Sequence, residues 1–159
     1  MSKPTRSKSP RWSPVAWRRQ SDLEPTPWRT AGHRPRVLIE HHDSSIGIAV
    51  GNLLAAEGYE VSNCGGPHSH KNYQCPLSTG GDCAHADEAD VVFFGLDISD
   101  EDDRAVLRAW RTQHADIPVI VEMPKARIPL YADELDGCLA LPQPMTRETL
   151  LEAVDRVLR

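Results

Sequence analysis

Apolar positions in this chain fall into short β-branched runs separated by stretches with helical spacing. Val37-Leu38-Ile39 is such a run and predicts a buried strand. From Ile46 to Glu57 the spacing turns helical, placing Ile46, Val50, Leu53 and Leu54 on one face, and Gly58 follows as a stop signal. Tyr59-Glu60-Val61 predicts a second strand. Ala89 to Phe94 predicts a third, of the continuous apolar kind found inside parallel sheets. Ala105 to Gln113 predicts a helix that packs through Val106, Leu107 and Trp110. Ile117 to Val121 and Cys138 to Leu141 complete the strands, with Pro118 tolerable at a strand start. Thr146 caps a last amphipathic helix through Leu158, which turns Leu150, Leu151, Val154 and Val157 inward. This alternation predicts an α/β fold, a doubly wound five-stranded parallel sheet. Chemistry in such sheets sits beyond the carboxyl ends of the strands. Here that edge comprises Glu40 to Asp43, Gly95 to Asp97, Glu122-Met123 and Pro142 to Pro144.

Charge divides the chain differently. Residues 1–36 hold nine Lys/Arg against Asp22 and Glu24, a net +7, which leaves nine Lys/Arg against 21 acids, or -12, for the remainder. Residues 1–35 therefore read as a basic, Ser- and Pro-rich disordered arm, and 36–159 as the folded body. Trp12, Trp17 and Trp28 are unusual in a disordered arm and suggest a short docking segment. The arm's charge also suits nucleic-acid phosphates, although no base-reading motif accompanies it. No apolar run is long enough to span a membrane, and the basic start lacks the apolar core of a secretory signal. The expectation is a cytoplasmic protein whose four cysteines are thiols or ligands.

The strand-and-helix order, with the phrases that carry it, resembles a response-regulator receiver domain of flavodoxin-like topology. Val37 to Val61 matches the family's first strand, first helix and second strand. Ala89 to Ser99 matches its phosphoacceptor strand and turn, and Ile117 to Pro124 its fourth strand. Gln143-Pro144-Met145 and the following helix match its Lys-Pro-Phe segment and last helix. The resemblance implies a site that has lost its chemistry. Its magnesium-binding acidic pair falls on His41 and His42, and its acceptor aspartate on Gly95. Its hydroxyl falls on Met123 and its lysine on Gln143. Hard Mg²⁺ takes carboxylate oxygens, which this set does not offer. Asp97, two residues past Gly95, and Asp43 are the nearest substitutes. The expectation is a pseudo-receiver that works as a phosphorylation-independent protein-interaction module and is not an enzyme.

Between the second and third strands lies a Gly- and Pro-rich insertion, about residues 64–86, with at most one helical turn. It carries Cys64, His68, His70, Cys75, Cys83 and His85, donors suited to zinc or, where cysteines dominate, to an iron–sulfur cluster. The spacing lacks any C-x-x-C, and buried thiols or a reversible Cys75–Cys83 disulfide are the simpler readings of it. A metal or thiol-redox sensor is thus the alternative function. Cobalamin binding is a further one, because Glu40-His41-His42-Asp43 with Gly47 loosely resembles the Asp-x-His-x-x-Gly motif of cobalamin domains. Asp100 to Asp103 reads as the solvated first turn of a helix.

Overall fold

The computed structural model describes residues 34–69, Lys71 and residues 73–159. The expected arm up to His33, its tryptophans and its nucleic-acid role lie outside the described residues. Five strands form, β1 (Arg36–His41), β2 (Glu60–Cys64), β3 (Val91–Gly95), β4 (Val119–Pro124) and β5 (Leu139–Gln143). Three α-helices join them, α1 (Ser44–Ala56), α2 (Glu101–Gln113) and α3 (Arg147–Leu158). The strands pair in the order β2-β1-β3-β4-β5, all parallel, which is the doubly wound flavodoxin-like order.

The strands bury both faces, as their unbroken apolar runs require. One face presents Val37, Ile39, Val91, Phe93 and Ile120 to α1 and α3, where Val50, Leu54, Leu150 and Val154 meet them. The opposite face presents Leu38, Val92, Phe94 and Val121 to α2 through Val106, Leu107 and Trp110. Trp110 is fully buried. Helix α1 departs from its sequence pattern. It packs through Gly47, Val50, Gly51 and Leu54, while Ile46 is 42% exposed. The glycines explain this, since a Cβ on Gly47 would stand 3.3 Å from the Asn63 side chain and one on Gly51 3.3 Å from Val61. Close approach to β2 selects the glycine face and turns Ile46 outward.

Among the described residues, two crossovers carry no α-helix. There the β2–β3 link holds a 3₁₀ turn, Pro76–Thr79, within the single helical turn its composition allows. The β4–β5 link holds a 3₁₀ segment, Lys125–Tyr131, interrupted by Pro129, which removes a donor and keeps an α-helix from forming. Leu130 on this segment is 76% exposed. Among the described residues, no helix is long and apolar enough to cross a membrane.

Helix α3 starts from a reciprocal cap. Thr146 accepts from the Thr149 amide at 3.2 Å, and the Thr149 hydroxyl accepts from the Thr146 amide at 3.0 Å. Thr146→Ala leaves the Thr149 amide without its side-chain acceptor and is expected to cost about 1 kcal/mol in urea-denaturation free energy.

Candidate functional site

The strand ends converge on the edge that the fold assigns to chemistry. On the α1/α3 side, His41 at the end of β1 lies opposite Gly95 at the end of β3. Its ring lies across that glycine. A Cβ built on Gly95 would fall 2.3 Å from His41 Cδ2 and 3.1 Å from Nε2, closer than real side-chain carbons come. The imidazole thus fills the space an acceptor side chain at position 95 would need. His41 Nδ1 accepts from the Asp43 amide at 3.0 Å, which places the proton of the neutral ring on Nε2. That nitrogen faces Glu122 Oε2 at 3.9 Å. Burial pulls the His41 pKa down against the opposing pull of Glu122 and Asp43, so the ring is held toward its neutral form.

Strand alternation puts Glu122 of β4 here, and not Met123. Gln143 of β5 donates to Glu122 Oε1 at 2.7 Å, so one carboxylate ties the last strand to the His41 ring. Met123 points to the other face and is buried in the α2-side core. The side chain of β4 facing His41 is therefore the acid Glu122, and not Met123, on which the receiver resemblance puts the hydroxyl position. A period-two count from Ile120 selects Glu122 of the two.

The α2 side of the same edge holds two buried acids. Glu40, only 2% exposed, accepts from the Trp110 indole N–H at 2.9 Å. Burial pushes its carboxyl up to about 8, the Trp110 bond pulling down and nearby Asp103 adding to the rise. Burial therefore holds Glu40 toward its neutral form. Asp103, expected in a solvated helix turn, is 0% exposed. Its Oδ2 pairs with His42 Nε2 and accepts from the Asp97 amide at 3.0 Å, while Oδ1 has no hydrogen-bond partner. The bond to Asp103 raises the His42 pKa, against burial. Glu101 and Asp102 stay exposed as expected, and Asp100 caps α2 by accepting from the Asp102 and Asp103 amides.

The two substitute carboxylates are occupied otherwise. Asp97 lies beyond the end of β3. Its Oδ1 accepts from the Ser99 amide at 3.0 Å, the Ser99 hydroxyl at 2.7 Å and Arg127 Nη2 at 3.2 Å. The Ser99 bonds, aided by Arg127, hold its carboxyl below the usual range. Asp43 spends Oδ1 on the Ser45 amide and hydroxyl and the Ile46 amide as the cap of α1. The magnesium ion that receivers use finds two imidazoles where it needs paired carboxylates, and the donor set does not fit it.

The Cys/His insertion is divided among several places. Cys64 and Cys75 are buried with Leu77, Ala86 and Leu96 in the α2-side core, and Cys83 and Tyr73 pack against them. Burial pushes the Cys75 thiol up to about 11 and the Cys64 thiol higher still, the behaviour of inert core cysteines. All four cysteines are free thiols. Cys138 precedes β5, half-buried against the same core. Burial lowers the pKa of His85. His68 turns away to α2, where its Nε2 meets Asp100 Oδ1 at 2.9 Å and Asp102 Oδ2 at 3.7 Å. Among the described residues, these three are the set whose His, Cys, Asp or Glu ligand atoms lie within 4.8 Å of one another. The five described Cys/His candidates of this insertion are not gathered into one site, and His70 lies outside the described residues.

The fold is that of response-regulator receiver domains. No family model matches the chain, and no curated protein matches it. Solved structures do. NtrX from Brucella abortus in complex with ADP aligns at TM-score 0.60 and 22% identity, over 79% of this chain and 26% of that one. A response-regulator receiver domain protein from Clostridium thermocellum aligns at 0.62 and 17% identity, over 78% and 94%. A CheY-like receiver domain protein from Methanospirillum hungatei JF-1 aligns at 0.59 and 16%, over 79% and 94%. The chain thus spans a whole small receiver protein but only about a quarter of the NtrX chain.

Proposed function

We propose that the chain is a receiver-type signalling module that acts by contact with a protein partner and without aspartyl phosphorylation. The observation that carries this reading is the His41 ring lying across Gly95, in the space where an acceptor carboxylate would project. The surrounding groups agree with it. Glu122 brings a negative charge to the position where a phosphoryl group needs donors, and Gln143 is committed to that carboxylate. Asp97, the remaining acid of this turn, has one oxygen occupied by Ser99 and Arg127. The reading includes no enzymatic step.

Incubation with acetyl phosphate and Mg²⁺ is expected to leave the intact mass unchanged. The amide NMR spectrum is likewise expected to show no shifts when beryllofluoride is added with Mg²⁺. A mass gain of one phosphoryl group, mapped to Asp97 or any other acid of this edge, overturns the reading.

A further inference from the structure

We infer that Glu40, Trp110, His42 and Asp103 form a proton-operated latch between β1 and the start of α2, closed while Glu40 holds its proton and released when Glu40 ionises. The latch is independent of the signalling role proposed above and of the missing phosphorylation chemistry.

The contact has two rungs. Glu40 and His42 alternate with His41, so the extended backbone at the end of β1 sends both toward α2. Asp103 and Trp110 lie two helical turns apart on one face of α2, and both are fully buried. In the first rung Glu40 accepts from the Trp110 indole at 2.9 Å, and in the second Asp103 Oδ2 pairs with His42 Nε2. The second rung also holds the chain ahead of α2, because Asp103 Oδ2 accepts from the Asp97 amide at 3.0 Å.

These groups do not balance if both acids ionise. Asp103 has His42 against one oxygen, and its Oδ1 has no hydrogen-bond partner. Glu40 faces Asp103 and Trp110 from α2, Cys64 from β2 and Cys75 from the insertion, with Phe94 of β3 beside it. Among these described residues, His42 is the one base set against two buried carboxyls. Two carboxyls in one dry site resist ionising together, and the acid without a base keeps its proton. Burial pushes the Glu40 carboxyl up to about 8, the Trp110 bond opposing and Asp103 adding to the rise. His42 is faced by Asp103, Asp97 and Asp100, and the His68 ring lies 6.1 Å away. Loss of the His42 proton acts in the same direction as ionisation of Glu40, since it strips Asp103 of its cation.

The folded carboxyl titrates above its ordinary value of 4.5, so the latch is closed below about 8 and loosens as the pH rises through it. An ionised Glu40 still accepts from the indole, and Trp110 stays packed in the core. The repulsion therefore falls on the Asp103 end, the first turn of α2. There His68 Nε2 meets Asp100 Oδ1 at 2.9 Å, and Arg127 donates to Asp97 Oδ1 at 3.2 Å. Release thus disturbs the insertion and the segment after β4 together, and changes the surface at the carboxyl edge of the sheet.

The test is ¹⁵N NMR of the full chain across about pH 6 to 9.5, following the Trp110 indole N–H and the Asp97 and Asp103 amides. Hydrogen exchange of the two amides is measured in parallel. The expected result is one step near 8 shared by all three signals, with exchange rising more steeply than hydroxide concentration through it. Glu40→Gln keeps an acceptor for the indole, and the indole step is expected to be lost. The titration of His42 itself is read from its ring carbons. Asp103→Asn removes the neighbouring charge and is expected to move the indole step to lower pH. A step in the indole while the two amides stay still would show that Glu40 titrates without releasing α2, and would overturn the latch. So would an indole step that survives Glu40→Gln, or one that keeps its midpoint in Asp103→Asn.

Discussion

Glu40→Gln is expected to make the protein more stable at pH 8 by roughly 3–5 kcal/mol while changing it little at pH 4.5. Glu40 is buried against Trp110, and its folded carboxyl titrates near 8, well above its ordinary value of 4.5. Between those two pH values the unfolded chain has released this proton and the folded chain retains it. Folding therefore takes up a proton, and stability falls with rising pH by about 1.4 kcal/mol per unit from this group alone. The contribution is complete below about 4.5 and gone above about 8. Glutamine keeps the shape and an oxygen for the Trp110 indole but has nothing to titrate. Urea midpoints of both proteins measured from pH 4.5 to 8 should diverge steadily. Parallel curves would show that Glu40 is solvated or ionised in the fold.

Gly95→Ala is the second large effect, with an expected cost of about 1–3 kcal/mol. The backbone of Gly95 has no positive φ, so alanine meets no conformational barrier there. All of the cost comes from the His41 ring, 2.3 Å from the added carbon. A double-mutant cycle isolates it. In a His41→Ala background the methyl group has room, and Gly95→Ala is expected to cost less than about 0.5 kcal/mol, a coupling of about 0.5 kcal/mol or more. Equal costs in the two backgrounds would mean that the ring is free to swing away. In that case the physical basis for excluding an acceptor at this position would be lost too.

The layout of the fold was legible because it depends on local pattern. Runs such as Val37-Leu38-Ile39 and Ala89 to Phe94, short and rich in β-branched or aromatic residues, read as buried strands, and Thr146 before an amphipathic stripe reads as a helix start. The misreadings arose where tertiary contact overrides local signal. Ile46 looked like a core residue until Gly47 and Gly51 let β2 set the packing face. Asp103 looked like one more solvated acid, yet α2 buries it under His42. Glu40 is a carboxylic acid in a buried strand, and only its partner on α2, seventy residues away, makes that tolerable. At this edge, His41, Gly95 and Gln143 end β1, β3 and β5, as their order along the chain implies. Glu122 was placed at the same edge, but the resemblance put the family's site position on Met123, one residue and therefore one face away. The segment after β4 offered no periodic stripe to read, and Pro129 explains why it remains a 3₁₀ turn.

The position of β5 has a consequence for how copies of this chain can associate. Among the described residues it is an outermost strand, bonded only to β4, and Pro142 stands opposite Met123 near its end. Proline has no amide hydrogen, so a foreign strand approaching that rim meets a missing rung where continuous zippering would need one. Growth of the sheet from molecule to molecule is discouraged on this side.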